Sequence, residues 1–233
     1  MIKLFFRNKI LFIFPVLLIC LTIYAVIEIS PYLSIKKVSQ EQLLANNISQ
    51  YDNLMIVAHP DDETLFGGDH IKNGNYFIVC ITSGNNSTRK EEFEEVLEKT
   101  GCGGIILSYP DKLFCLRSHW TFWKDAIKED ISYIVSYKNW ESIVTHNKDG
   151  EYGHIQHKLL HSIVEGCVVP GLCDFYTFGK YYKKADIPDD LKSLDDSAVK
   201  EKKELLRIYN SQSKTIKKLS HMIPYENWEV YSR

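Results

Sequence analysis

Two short stretches of this sequence carry residues able to hold a metal ion and run a hydrolysis: His59-Pro60-Asp61-Asp62-Glu63 and, far downstream, Gly153-His154-Ile155-Gln156-His157. Zinc takes nitrogen and oxygen donors, and a catalytic site keeps three protein ligands plus an open position for water. His59, one of the two adjacent aspartates and His157 make such a set. The side chains of adjacent aspartates diverge, so one can bind the ion while the other stands beside the water as general base. His154 and His157 are three apart, which on a helix puts both on one face. His154 can then stabilise a tetrahedral intermediate or protonate a departing amine. Together these parts suffice for metal-assisted amide hydrolysis. Each stretch also has a plainer reading. Pro-Asp-Asp-Glu is a good helix start, because acidic side chains suit free N–H groups and the helix dipole. A lone His-x-x-His is weak on its own. Their joint position after two strands of one inferred sheet favours the site.

That sheet follows from the apolar runs. Residues 54–58, 76–81, 104–107 and 142–145 read as buried strands, and 175–178 as a weaker fifth. Between or after them lie helical patterns over 89–99, 122–137, 153–165 and 197–211, with a short one at 40–45. Alternating strands and helices imply an α/β domain, a mostly parallel sheet covered on both faces. Ligands of such sheets bind beyond the carboxyl ends of the strands, where both stretches fall. Aromatic residues at Trp120, Phe122, Trp123 and Trp140 fit the core better than a sugar platform.

The remaining chain sets the location. Residues 10–27 contain no charged side chain, and as a helix they would span about 27 Å. Pro15 inside the run is tolerated in a membrane helix. The run exceeds a usual signal-peptide core and lacks a small-residue cleavage pair, so an uncleaved anchor is favoured over a signal peptide. Lys3, Arg7 and Lys9 outweigh the charges that follow, which favours a cytoplasmic N-terminus and an extracytoplasmic catalytic domain. Residues 1–30 thus read as a single-pass anchor, 31–52 as a connector and 53–233 as one domain. The formal net charge of -2 offers no basic field for nucleic acid. Cys167 and Cys173 flank a Pro-Gly turn and could bridge in an oxidising compartment.

The string Ala58-His59-Pro60-Asp61-Asp62-Glu63 resembles the signature of the PIG-L/LmbE-like deacetylases, and Gly153-His154-Ile155-Gln156-His157 resembles that family's second histidine motif. Thr82-Ser83-Gly84-Asn85, Thr88-Arg89-Lys90-Glu91-Glu92, Tyr109-Pro110-Asp111 and Tyr209-Asn210-Ser211-Gln212 are similar to its supporting elements, in the same order. The resemblance implies a Rossmann-like fold, with His59, Asp62 and His157 as zinc ligands, or ligands of another divalent ion such as Fe2+. It implies Asp61 as general base, His154 opposite it across the amide, Tyr152 near the reacting centre, and Arg89 and Asp111 near the sugar. The implied reaction removes acetyl from an N-acetylglucosamine unit, free or linked to lipid or polymer. Alternatives are a metal-dependent amidase for another amide and a catalytically silent glycan-binding protein. One departure stands out. Many members have Pro-Asp between the two histidines, where this chain has Ile155-Gln156, so no carboxylate is available there to tune a neighbouring imidazole.

Overall fold

The computed structural model describes residues 2–231, with residues 2–14 given by backbone alone. Helix α1 (Ile2–Ile29) leads through a short helix α2 (Gln40–Ala45) into strand β1 (Asn53–Val57). Then come α3 (Asp62–Ile71), β2 (Tyr76–Thr82), α4 (Ser87–Thr100) and β3 (Gly103–Tyr109). A small hairpin, β4 (Lys112–Leu113) and β5 (Leu116–Arg117), precedes α5 (Lys124–Val135) and β6 (Ser142–Thr145). A single turn α6 (Gly150–Gly153), α7 (Ile155–Glu165) and β7 (Asp174–Thr177) follow. The chain closes with α8 (Asp196–Leu206), α9 (Ser213–Leu219) and β8 (Glu229–Val230).

The main sheet has the order β3-β2-β1-β6-β7-β8, parallel except for β8. Alternation along β1 sends Leu54, Ile56 and Ala58 to one face, with Phe77, Val79 and Ile81 of β2 and the apolar sides of α5 and α7. Met55 and Val57 go to the other face, with Ile78 and Cys80, Ile71 of α3 and Phe93 and Val96 of α4. Full burial of each such aliphatic side chain is worth about 1.5–3 kcal/mol, so both faces of β1 contribute to stability. From β1 the chain builds outward to β3, then returns to add β6 on the other side. The order therefore reverses between β1 and β6, and a crevice opens at their carboxyl ends.

Several expectations shift at their edges. The helix expected over 197–211 stops at Leu206, because Tyr209 turns into the core and is fully buried. The pattern over 122–137 narrows to α5 and the pattern over 153–165 to α7, with His154 just outside it. Trp120 and Trp140 are buried as expected, but Phe122 is 88% exposed. Cys167 and Cys173 carry free thiols and are not bridged. From Pro15 to Tyr32 the N-terminal segment is long and apolar enough to cross a membrane, and none of it is buried against the domain. Lys3, Arg7 and Lys9, on which the expected orientation rests, lie outside the residues with described side chains.

Candidate metal centre

The first motif occupies the turn from β1 into α3. Beyond Val57 the backbone bends sharply, and Asp61 takes φ 120°, ψ -26°, a conformation that costs a non-glycine residue about 1–3 kcal/mol. The surroundings hold it there. The Asp61 N–H donates to Glu63 Oε2 at 3.1 Å. Glu63, fully buried, is itself fixed by the Thr64 hydroxyl at 2.6 Å and the Tyr209 hydroxyl at 2.5 Å. The Arg89 guanidinium donates to the Pro60 carbonyl at 3.2 Å, bracing the same turn from α4.

The second motif enters from β6 and α6–α7. Glu151 sits at φ 51° and Gly153 at φ 91°; the latter suits glycine, and together they turn the chain so that α7 begins at Ile155. His154 is the N-cap of α7, with extended backbone, and its Nδ1 accepts the Gln156 N–H at 3.3 Å. His154 and His157 therefore meet across a helix start rather than on one helix face, with rings stacked at 4.3 Å.

Three atoms converge between the motifs. His59 Nδ1 lies 3.0 Å from Asp62 Oδ2, His157 Nε2 lies 3.2 Å from His59 Nδ1, and His157 Nε2 lies 3.3 Å from Asp62 Oδ2. Ligands at about 2.0–2.1 Å from a tetrahedral zinc stand roughly 3.3–3.4 Å apart, close to this triangle. The hydrogen bonds behind it assign the protons. Gln156 spends its amide N–H groups on the Pro110 and Asp111 carbonyls, at 3.2 and 3.1 Å. Its Oε1 therefore faces His59 Nε2 at 2.8 Å and accepts its N–H. Glu151 Oε2 likewise accepts from His157 Nδ1 at 2.5 Å. In their neutral forms both imidazoles aim lone pairs at a buried carboxylate oxygen, which also accepts the His59 backbone N–H at 2.9 Å, so the point between them calls for a proton or a metal cation. The residues present fit a divalent metal ion.

Two further groups are geometrically available, His59 with His154 and His157, and Asp62 with His146 and His157, where His146 lies 3.5 Å from Asp62 Oδ2. In the first, His154 Nδ1 already accepts the Gln156 N–H. In the second, the objection lies with His146. Its Nε2 accepts the Ala58 N–H at 3.0 Å, and a backbone N–H can only donate. That lone pair is already used, so His146 acts as a buried spacer held by Glu151 at 3.0 Å.

Charge separates the two aspartates. Burial works against ionising Asp62, but His157 and then His59 beside it overcome that and hold the carboxyl well below the usual range. Burial, and then the Asp62 charge, push Asp61 well above that range. Adjacent carboxyls are thus driven apart into an anion and a proton acceptor of higher basicity. Burial, followed by His157 and His59, lowers His154 to about 2 and keeps it neutral. With Nδ1 accepting, His154 presents Nε2–H as a donor.

Asp61, Asp62, His59, Tyr152 and His154 line one cavity of about 90 Å³, and Arg89 and Asp111 form part of its wall. The Tyr152 ring stands edge-on to His154 at 5.9 Å. Arg89 and Asp111 contact each other at 3.4 Å, and Asp111 also reaches His59 Nε2 at 3.5 Å. His157 does not line this cavity but joins it through His59 and Asp62, so the predicted ligands and the residues predicted around them come together here. His146 and Glu151 follow β6, the fourth expected strand, as part of the same cluster, but the contacts of Glu151 with His146 and His157, and of Gln156 with His59, were not anticipated. Glu151 meets His146 and His157 from nearby in the chain through the turn at its own left-handed backbone, whereas Gln156 reaches His59 across the fold.

Comparisons with known proteins bear on the same region. A family model described as GlcNAc-PI de-N-acetylase matches residues 54–168. An uncharacterized protein of Acanthamoeba polyphaga mimivirus is 32% identical over 193 residues, covering 76% of this chain and 78% of that one. The N-acetylglucosaminyl-phosphatidylinositol de-N-acetylase of Saccharomyces cerevisiae is 26% identical over 181 residues, 69% of this chain but 58% of the yeast protein.

Proposed function

This chain belongs to the PIG-L family, the GlcNAc-PI de-N-acetylases, and on that footing we propose that it is a zinc-dependent hydrolase removing the N-acetyl group from an N-acetylglucosamine-containing glycan, glycolipid or glycoside. The observation that carries the metal dependence is the triangle of His59 Nδ1, Asp62 Oδ2 and His157 Nε2. These three atoms would hold the ion. When bound, a divalent ion polarises the acetyl carbonyl and lowers the pKa of a water towards about 7.

The protein groups then handle protons and geometry. Asp61 takes a proton from the attacking water, whose oxygen forms the new bond to the carbonyl carbon. The raised basicity of Asp61 suits that exchange. His154 Nε2–H donates to the carbonyl oxygen as negative charge develops on it, a contact strongest in the transition state. The Tyr152 hydroxyl supports the same oxygen from the neighbouring wall. The C–N bond breaks, Asp61 passes its proton to the departing nitrogen, and acetate and a free amine result. Asp111 accepts from a sugar hydroxyl, while Arg89 braces Pro60 and Asp111 around the ring.

A domain over residues 53–233 performs this chemistry, the segment at residues 1–30 anchors it, and the domain faces the extracytoplasmic side. Asp61→Asn should reduce deacetylation of an N-acetylglucosaminide by about 10²–10⁴-fold while metal content stays stoichiometric. Acetate release and elemental analysis measure both. Full activity in that variant would refute the mechanism.

A further inference from the structure

Beside the apolar N-terminal segment lies a feature that the deacetylation reading does not use. The hairpin β4–β5 turns at Phe114 and Cys115, both with left-handed backbone, φ 51° and 63°. Two consecutive left-handed residues make a tight hairpin turn, usually built from Asn and Gly. Phe and Cys hold it here at the expense of strain, and the strained tip carries an aromatic ring outward. That ring stands 5.7 Å from Tyr24 of α1, and the Phe114 N–H donates to Glu28 Oε2 at 3.3 Å. Tyr24 lies within the apolar stretch Pro15–Tyr32. It precedes Glu28 by one helical turn, about 6 Å along the axis.

The tip is not alone. Phe114 is 40% exposed, Leu116 72%, Leu33 78% and Phe122 88%. Trp123, next to Phe122, packs edge-on against Tyr32 at 6.1 Å and donates its indole N–H to the Tyr32 carbonyl. Exposed apolar side chains from three separate segments therefore gather around the exit of one apolar helix. Two residues back from the tip, the paired stem residues Lys112 and Arg117 line the cavity that holds Asp61 and His154.

We infer that the β4–β5 hairpin, with Phe122 and Leu33, is a second membrane contact that inserts into the lipid interface and seats the mouth of the site on the bilayer. The inference rests on the anchor reading given above, since depth is measured along α1. A side chain beside Tyr24 sits below the level at which Glu28 meets water. Tyr24, Tyr32 and Trp123 have the amphipathic rings that favour this zone. Lys112 and Arg117, just above it, suit anionic headgroups. Lipid accounts for what a protein partner would not: the apolar groups follow the helix exit and continue its apolar surface.

The test uses the full chain in phosphatidylcholine vesicles, with Cys20→Ser, Cys167→Ser and Cys173→Ser to leave Cys115 as the exposed thiol. A fluorophore on Cys115 is read against lipids carrying a nitroxide near the top of the acyl chain. Reference labels go on Leu18→Cys in the anchor and Val230→Cys at the far sheet edge, each with Cys115→Ser. Quenching at Cys115 should reach about half that at Leu18 or more, as an insertion of roughly 5–10 Å requires, with Val230 unquenched. Quenching at Leu18 without quenching at Cys115 overturns the hairpin contact and leaves the anchor standing. An unquenched Leu18 removes the anchor and the inference with it. If Cys115 is unquenched when labelled, and in the unlabelled protein forms a disulfide between two chains under a mild added oxidant, the surface belongs to a second copy and the inference is also overturned.

Discussion

Helix α3 has a cluster of buried charge at each end, and the two are assembled on opposite plans. At its C-terminal end, Lys202 and Glu226, both with fully buried side chains, pair at 2.7 Å. Glu226 also accepts the Asp69 and His70 N–H groups, at 2.9 and 3.3 Å, and His70 Nδ1 at 2.7 Å. Those N–H groups are available because α3 departs from helical geometry at Gly67. A buried cation directly faces a buried anion there. At the N-terminal end, neutral His59 and His157 aim ring lone pairs at Asp62 Oδ2 with their other ring nitrogens tied to Gln156 and Glu151, leaving a point that only a proton or a metal ion completes. A balanced cluster joins α3, α8 and the C-terminal tail into a structural unit. An unbalanced one is built to take up a cation, which is why only the second reads as a site.

That contrast predicts unequal damage. Lys202→Ala strands Glu226 as a buried anion, so unfolding should become about 3–5 kcal/mol easier, read from urea denaturation. Activity per folded molecule should hold, since the cluster touches no reacting group. Burial opposes ionisation of Glu226, but Lys202 and His70 hold its carboxyl down at about 2. Its contribution is therefore present above the ordinary glutamate range near 4.5 and is lost as pH falls towards 2. A Lys202→Ala protein that lost activity at unchanged stability would erase the distinction between the clusters.

Glu151→Gln probes the other plan. It keeps the shape but weakens the acceptor that orients His157, so metal affinity should fall by about 10–100-fold, measured by chelator competition. Acid should act differently here from the structural end. Burial disfavours protonating His59, yet Asp62 and then Asp111 together raise it to about 10 in the metal-free chain. Its proton thus stabilises the metal-free fold below the unfolded histidine value near 6.5, and that stabilisation is lost as pH rises through about 10. Metal must displace that proton. Apparent affinity should therefore rise about tenfold per pH unit between 6 and 8, which the same competition assay can follow. A pH-independent affinity would mean that no proton leaves the triangle.

How far the sequence reveals this depends on how local each feature is. The parallel strands were legible because burial on both faces writes them as unbroken apolar runs, and Ser142–Thr145 agrees to the residue. Helix α3 was legible only at its start, where Pro-Asp-Asp-Glu suits a helix N-terminus. The motif fills its first turn, and Gly67-Gly68 interrupts its apolar period. The hairpin β4–β5 has two-residue strands and a Phe-Cys turn with no Gly, Asn or Asp to announce it. At the site, His59, Asp62 and His157 could be picked out because their residue types and positions after strands are visible in sequence. Glu151 looks like any acidic loop residue until His157 and His146 are seen on either side of it.

Gln156 gives the finest test of what sets the two clusters apart. Where many members of the family carry a carboxylate, this chain has an amide whose Oε1 accepts from His59 Nε2 while its N–H groups are tied to the Pro110 and Asp111 carbonyls. The glutamine fixes which nitrogen of His59 is free, and a neutral acceptor does so without adding a fourth negative group beside Asp61, Asp62 and Asp111. In Gln156→Ala the imidazole keeps only the longer 3.5 Å contact to Asp111 on that side. Metal affinity should drop by up to about tenfold, at the low end for an outer hydrogen bond to a ligand, and Gln156→Glu should restore the orientation. In the glutamate variant the added charge raises His59 basicity, so proton competition persists to higher pH and the affinity curve moves alkaline. If Gln156→Ala binds metal as tightly as the parent at every pH, the orientation of His59 comes from Asp62 alone, and the outer contacts of this centre belong with the packing rather than with the chemistry.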